Sequence, residues 1–247
     1  MKSNEQLENK LLEYVGKGLI VPRTENNATL KCSYKGAGIL ITEKWNIKIY
    51  HSGSIVCNDF HILDGIMGDK IKAPDASLQL IQIDDAGWGF PLLGVMVGVT
   101  DGDRVLTDMV PVKFFQEPLY HSKAYLNDYA DRGLCIMEEM GAKPKTHRVE
   151  ICTGFVNKNL KNALRDAGYD VRVNEIKGLL QDQLEERFRY NVQGIFGVDL
   201  AYDPKQVGKA MLGRRYYDVL HWGQKNAPEM LKSGWKAIQK EEAYNGL

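Results

Sequence analysis

Two carboxylates stand side by side at Asp84 and Asp85, where the apolar run Leu78–Ile83 gives way to Ala86-Gly87-Trp88-Gly89. A third, Glu150, sits inside a strand-like run, His147–Cys152, between Val149 and Ile151. Side chains alternate along a strand, so Glu150 points to the opposite face from those neighbours. A carboxylate inside a strand is costly unless it is paired or bound to a metal. Parallel neighbours in an α/β sheet open their carboxyl ends onto a common crevice, where such sheets bind ligands. Carboxylates converging there make a hard-oxygen site for magnesium or manganese. Two such ions about 4 Å apart activate a water and stabilise the leaving oxygen in phosphodiester cleavage. Simpler readings stay open. Aspartate before glycine is a common turn former. Glu150 has Arg148, Lys145 or a neighbouring strand as candidate ion-pair partners.

The elements around these residues have a definite order. Leu78–Ile83 reads as a strand, broken by Asp84-Asp85-Ala86-Gly87. Leu92–Thr100 is a second strand, closed by the turn Asp101-Gly102-Asp103, and Arg104–Phe115 is a third. A helix follows over 120–140, with Tyr125, Tyr129, Cys135, Ile136 and Met140 near helical spacing and Gly141 as its stop. Then come strand His147–Cys152, helix Asn157–Ala167, strand Asp170–Asn174, helix Leu179–Gln193 and further helix within 204–240. Short turns make the first three strands an antiparallel meander, and the later strand-helix-strand steps make parallel right-handed crossovers. The expectation is an α/β fold: a mixed five-stranded sheet with helices on both faces.

Residues 1–76 read as a separate, small α+β module ahead of a main domain spanning 77–247. Leu7, Leu11, Leu12 and Val15 predict a helix over 5–15. Strand-like runs follow at Ala28–Tyr34, Gly38–Thr42, Trp45–Tyr50 and Ser54–Asn58, the last two forming a hairpin about His51-Ser52-Gly53. Residues 64–77, rich in Gly, Asp and Pro, are expected to link the two.

At 44% hydrophobic and 26% charged residues, the chain has the make-up of a folded protein and not of a disordered one. No apolar run reaches the roughly 18 residues of a membrane span, and the polar N-terminus is unlike a secretory signal. Cys32, Cys57, Cys135 and Cys152 form no CxxC or Cys/His cluster, which argues against a zinc site and suits a reducing compartment. A cytoplasmic location is expected. The net charge is zero, so nucleic-acid binding has no support from bulk charge. Locally, Lys205–Lys240 carries eight basic residues against two acidic, with Tyr216, Tyr217, Trp222 and Trp235 among them. Aromatics interleaved with basic residues stack on bases, although the same rings also serve as core.

The segment Ile83-Asp84-Asp85-Ala86-Gly87-Trp88-Gly89-Phe90-Pro91-Leu92 resembles the first-strand motif of type 2 ribonucleases H, written DEAGRGPLAGP. Asp84, Ala86, Gly87, Gly89 and Gly94 stand at matching positions, and Asp85 stands at the motif's glutamate. The resemblance implies a ribonuclease H-like sheet, catalytic Asp84 and Asp85 holding Mg2+ or Mn2+, and Gly87, Trp88 and Gly89 against an RNA/DNA hybrid whose minor groove exposes 2′-hydroxyls. Trp88 replaces the family's arginine, and its DSK motif is not evident after the third strand. Glu150 stands in the strand where the family has an aspartate, and a glutamate there is similar to Holliday-junction resolvases. Asn174–Gly178 has no aspartate in register, which leaves Asp182, Glu185 or Glu186 as the last acid. Resolvase-like members use an aspartate on a late helix, a role open to Asp218, with Arg214 and Arg215 beside it for nucleic acid or as its ion-pair partners. Residues 5–60 resemble the small N-terminal module of type 3 ribonucleases H.

Two functions follow as expectations. One is a metal-dependent nuclease on an RNA/DNA hybrid or structured DNA, with Asp84, Asp85 and Glu150 as metal ligands and Asp182 or Asp218 completing the catalytic set. The other is a non-catalytic relative that binds nucleic acid or a protein.

Overall fold

The computed structural model describes residues 2–37, 45–68, 77–202, 209–235 and 238. By its contacts the chain divides into two compact units, Met1–Ser77 with Arg172–Glu175, and Leu78–Val171 with Ile176–Leu247.

In the first unit, helix α1 (Lys2–Gly16) precedes strands β1 (Ile20–Pro22), β2 (Leu30–Gly36), β3 (Asn46–Tyr50) and β4 (Ile55–Cys57). They form an antiparallel sheet in that order. The helix buries Leu7, Leu11 and Tyr14, one turn apart, against Trp45, Ile47 and Ile49. Leu12, expected on that face, is 57% exposed instead. The expected β3–β4 hairpin forms, with Ile49 opposite Ile55 and Gly53 at φ +86° in its turn. Helix α2 (Phe60–Met67) occupies the start of the expected linker, because Ile62, Leu63 and Ile66 complete the same core. The rest of that linker, 69–76, and the expected strand Gly38–Thr42 lie outside the described residues.

The main sheet is built of β5 (Gln79–Ala86), β6 (Val95–Thr100), β7 (Val105–Val110), β8 (His147–Ile151) and β9 (Asp170–Val173), in the order β7-β6-β5-β8-β9. β5–β6 and β6–β7 pair antiparallel, and β5–β8 pair parallel. The mixed five-stranded sheet therefore has the order expected of a ribonuclease H-like fold, first strand central and meander at one edge. All six residues of β6 are buried, as a strand covered on both faces requires. Helices α3 (Ala124–Glu139), α4 (Lys158–Asp166), α5 (Leu179–Phe196) and α6 (Lys209–Asn226) complete the unit. Both α3 and α5 pack on the sheet, and α4 packs on α3.

Two close approaches set these layers. Gly98 in β6 lets α5 come in: a Cβ there would lie 2.8 Å from Leu184 Cδ1. Gly94, just before β6, is tighter still, since a Cβ would lie 1.6 Å from the Val110 carbonyl oxygen. That obstacle is backbone and has no rotamer to escape into. Gly94→Ala is expected to cost about 3 kcal/mol by overpacking. Gly89→Ala, where a Cβ meets nothing within 4 Å, should stay within about 0.5 kcal/mol of wild type. Paired denaturant melts test this; equal midpoints for the two variants would contradict it.

Candidate active site

Asp84 and Asp85 lie inside β5, not beyond its end. The sequence places the strand's last residue at Ile83, but Asp84 pairs with Gly98, Asp85 with Val97 and Ala86 with Met96 of β6. On the other side β8 stops sooner, its last pair being Ile83 with Ile151. The next residue, Cys152, donates its N–H to the Ile83 carbonyl at 3.0 Å. The two carboxylates are thus held by one neighbouring strand where the other has ended. That opens a gap at the carboxyl end of β8.

Three ligand-type side chains meet in this gap. Among the described residues, one oxygen each from Asp84 and Asp85 and the Cys152 Sγ lie within 4.8 Å of one another. The Cys152 thiol donates to Asp85 Oδ1 at 3.1 Å. A single turn of 3-10 helix, Phe155–Asn157, brings back Asn157, whose Nδ2 donates to Asp85 Oδ1 at 3.2 Å and to Cys152 Sγ at 3.0 Å. Asn157 is 1% exposed, and its Oδ1 is buried with no hydrogen-bond partner. Asp84 Oδ1 accepts from the Asp85 N–H at 2.9 Å, and Tyr129 donates its hydroxyl to the Asp84 carbonyl at 3.3 Å. Gly154 permits the approach: a Cβ there would lie 2.5 Å from Asp85 Oδ1.

Burial dominates the electrostatics. It pushes the Asp85 carboxyl up to about 6, with the Asp84 charge adding to it; the Cys152 and Asn157 hydrogen bonds and the Lys232 charge oppose it. The Cys152 thiol is also pushed up, by burial first and then by Asp85 and Asp84. Lys232 is fully buried. Its ammonium donates to the Gly87 carbonyl and lies 5.2 Å from the Phe115 ring centre and 5.0 Å from that of Trp235. Burial holds it well below the ordinary lysine range, against the pull of Asp85.

The other expected site residues fall as follows. Glu150 is not in the cluster. Parallel register sets it beside Gln82, two residues before the Asp84 level, or about 6.6 Å along the strand. There Arg148 Nη1 donates to its Oε1 at 3.2 Å and Gln82 Nε2 to its Oε2 at 3.4 Å. Its burial is therefore compensated by an ion pair. Asp182, in the first turn of α5, also stands outside the cluster. Together with Asp85, Glu185, Glu186, Arg189, Arg215 and Tyr216 it does line an open cavity of about 1080 Å³. Asp218 and Arg214 are exposed on α6 and do not reach that cavity. Gly87 has φ +83°, and a Cβ there would lie 2.2 Å from the Phe188 ring; Gly89 is exposed. Both glycines line the cavity. Trp88 lines it too, yet its ring packs among Phe115, Tyr125, Phe155 and Trp235 at centre distances of 5.7–6.3 Å, so most of it serves as core.

The donor set suits a divalent cation in part. Asp84 and Asp85 are hard oxygen donors of the kind magnesium and manganese take. Cys152 stands where a third carboxylate was expected, and a thiol is a poor partner for such ions. Sequence reading missed Cys152, Asn157 and Lys232. The signal available for Cys152 was its place at the end of the strand run, two residues after Glu150.

No family model matches the chain, and no curated protein matches it. Among solved structures, Aquifex aeolicus RNase H3 is 12% identical, with 92% of this chain and 95% of that one covered and a TM-score of 0.39. A point mutant of Bst-RNase HIII is 11% identical over 95% of this chain and 96% of that one, with a TM-score of 0.40. Bst-RNase HIII in complex with Mn2+ is 12% identical over the same shares, at 0.33.

A pH dependence follows from Asp85. Its carboxyl is raised in the folded protein to about 6, so between about pH 4 and 6 the folded state binds more protons than the unfolded chain. Stability from this group is greatest below about pH 4 and is lost as pH rises through about 6. A rise of that size corresponds to about 3 kcal/mol at most. With chelator present, Asp85→Asn is expected to melt higher than wild type at about pH 7.5, with the gap closing by about pH 4. A gap that does not change with pH would show that burial does not set this carboxyl.

Proposed function

We propose that this chain is a metal-dependent nuclease of the ribonuclease H kind, hydrolysing phosphodiester bonds in an RNA/DNA hybrid or a structured nucleic acid. The observation that carries the reading is the adjacent pair Asp84–Asp85, held in the central strand beyond the end of its parallel neighbour, with Asp85 lining an open cavity. Asp84 and Asp85 are the residues that would hold the cation. When bound, such an ion lowers the pKa of a water and offsets charge on the phosphate.

The chain's own groups then have distinct parts. Arg215 and Arg189 line the same cavity as Asp182, Glu185 and Glu186, so a phosphate backbone entering it meets guanidinium groups suited to bidentate contact. Asp199 already pairs with Arg189, which leaves Arg215 the stronger contact. Asn157 orients the Asp85 carboxylate by donating to its Oδ1. Gly87 and Gly89 let backbone approach the strand. The part of the chain from about residue 77 onward carries this activity, with residues 1–76 as an accessory module. The four cysteines are free, which suits action in the reducing cytoplasm. No described helix is long and apolar enough to cross a membrane.

The second reading, a non-catalytic nucleic-acid- or protein-binding relative, is favoured by two observations: a thiol stands in the cluster, and Glu150 is occupied by Arg148. Labelled RNA/DNA hybrid, duplex DNA and a four-way junction, each with magnesium or manganese, separate the two. Cleavage is expected to fall by about a hundredfold or more in Asp84→Asn, which removes electrostatic stabilisation of the transition state. In Glu150→Gln it should stay within about threefold, since that residue lies outside the cluster. Tight binding without cleavage would leave the second reading standing. Loss of cleavage in Glu150→Gln alone would refute the assignment of the carboxylates.

A further inference from the structure

We infer that Phe155 contacts nucleic acid by stacking on an unpaired base beside Asp84 and Asp85. The inference rests on the proposed nuclease site and deepens it. It narrows the substrate to a nucleic acid with a single-stranded segment at the carboxylates, such as a tailed or frayed duplex.

Phe155 is carried on the scaffold of the site itself. It opens the 3-10 turn Phe155–Asn157, whose last residue donates to Asp85 Oδ1. The residue before it, Gly154, comes so close to Asp85 that a Cβ would lie 2.5 Å from Oδ1. Consecutive Cα atoms are about 3.8 Å apart, and successive bases of a strand rise about 3.4 Å. The ring is therefore anchored within about one or two nucleotide steps of the carboxylates. Trp88 keeps it on the side of the site: the two ring centres are 6.3 Å apart, and Trp88 lines the cavity together with Asp85.

Exposure is the second observation. Phe115 and Tyr125, which also pack on Trp88, are buried. Phe155 belongs to the same aromatic group and is 49% exposed. Among the described residues Trp88 is the one ring against it, tilted by 47° and not stacked, so half of the Phe155 ring is left to solvent. Its neighbours Val156 and Asn157 are buried and anchor the turn. Inside a duplex each base is covered on both faces by its neighbours, and a protein meets only edges, sugars and phosphates. A ring beside the acids therefore stacks only on a base outside the duplex, and it does so with any base, since each has a π face. The cavity continues this surface beyond Trp88. Tyr202, Tyr216 and Arg215 line it, a combination of rings and positive charge that suits a single strand.

The test is binding by the full chain, with calcium in place of magnesium and the strands checked for cleavage. Two probes are compared: a blunt RNA/DNA hybrid, and the same hybrid with a short single-stranded tail that carries 2-aminopurine. Wild type is expected to bind the tailed hybrid roughly tenfold more tightly and to quench the 2-aminopurine fluorescence, as one stacked base requires. Phe155→Leu, apolar but without a π face, should lose the preference and the quenching. Phe155→Trp should keep both, and circular dichroism checks that each variant folds. The inference is overturned if wild type binds the two hybrids equally or binds neither, or if the tail stays unquenched. It is also overturned if Phe155→Leu keeps both effects, which would assign the exposed ring to a protein partner. The nuclease reading fails separately. Tail preference with quenching but no hydrolysis of any substrate would sink the nuclease and keep the contact, and hydrolysis of blunt hybrid without tail preference would do the reverse.

Discussion

The site depends on a mismatch of strand lengths. β5 stays in register with β6 for three residues after β8 has ended. Backbone N–H and C=O groups need partners when buried, and the antiparallel ladder supplies them on one side of Asp84–Ala86. The other side is left to side chains. Had β8 run as far as β5, its backbone would fill the space that Cys152 and Asn157 now share with the two carboxylates. The same mismatch makes the site electrostatically expensive. Adjacent acids are kept side by side in a strand, and burial is the first cause of the raised Asp85 carboxyl. The cluster answers with hydrogen-bond donors, namely the Cys152 thiol, the Asn157 amide and the Asp85 N–H itself.

Lys232 shows how far the surrounding fold serves this arrangement. It comes from the segment after α6, where Leu231 bridges to Leu92 and the Lys232 N–H reaches the Pro91 carbonyl. Its ammonium ends on the Gly87 carbonyl, within the loop that follows the aspartates. A buried lysine carries a heavy desolvation cost. Here it is offset only in part, by that carbonyl and by two aromatic faces, Phe115 and Trp235. Trp88 packs into the same aromatic group. The Gly87–Gly89 loop is therefore gripped from behind by the C-terminal segment, and the cavity face of the loop is set by that grip.

Glu150 and Cys152 make a useful contrast. Both lie near the end of one strand, and only register distinguishes them. Glu150 is at the Gln82 level and finds Arg148; Cys152 is two residues on and faces the aspartates. By residue type the glutamate is the natural metal ligand. By position the cysteine holds the place.

The amino-acid sequence by itself determined the element order, the meander followed by strand–helix steps, and the placing of Asp84 and Asp85 at the critical end of the first main strand. Those follow from local hydrophobic period and turn residues, which act within a few positions along the chain. Tertiary structure alone decided that the aspartates stay inside the strand, that Glu150 stands at the Gln82 level outside the cluster, that Cys152 and Asn157 complete the cluster, and that Lys232 arrives from the far end of the chain. Each of those is a contact between residues brought together by the sheet and its packing. It is fixed by inter-strand register and by which buried polar groups must find partners, and neither is encoded in any single segment.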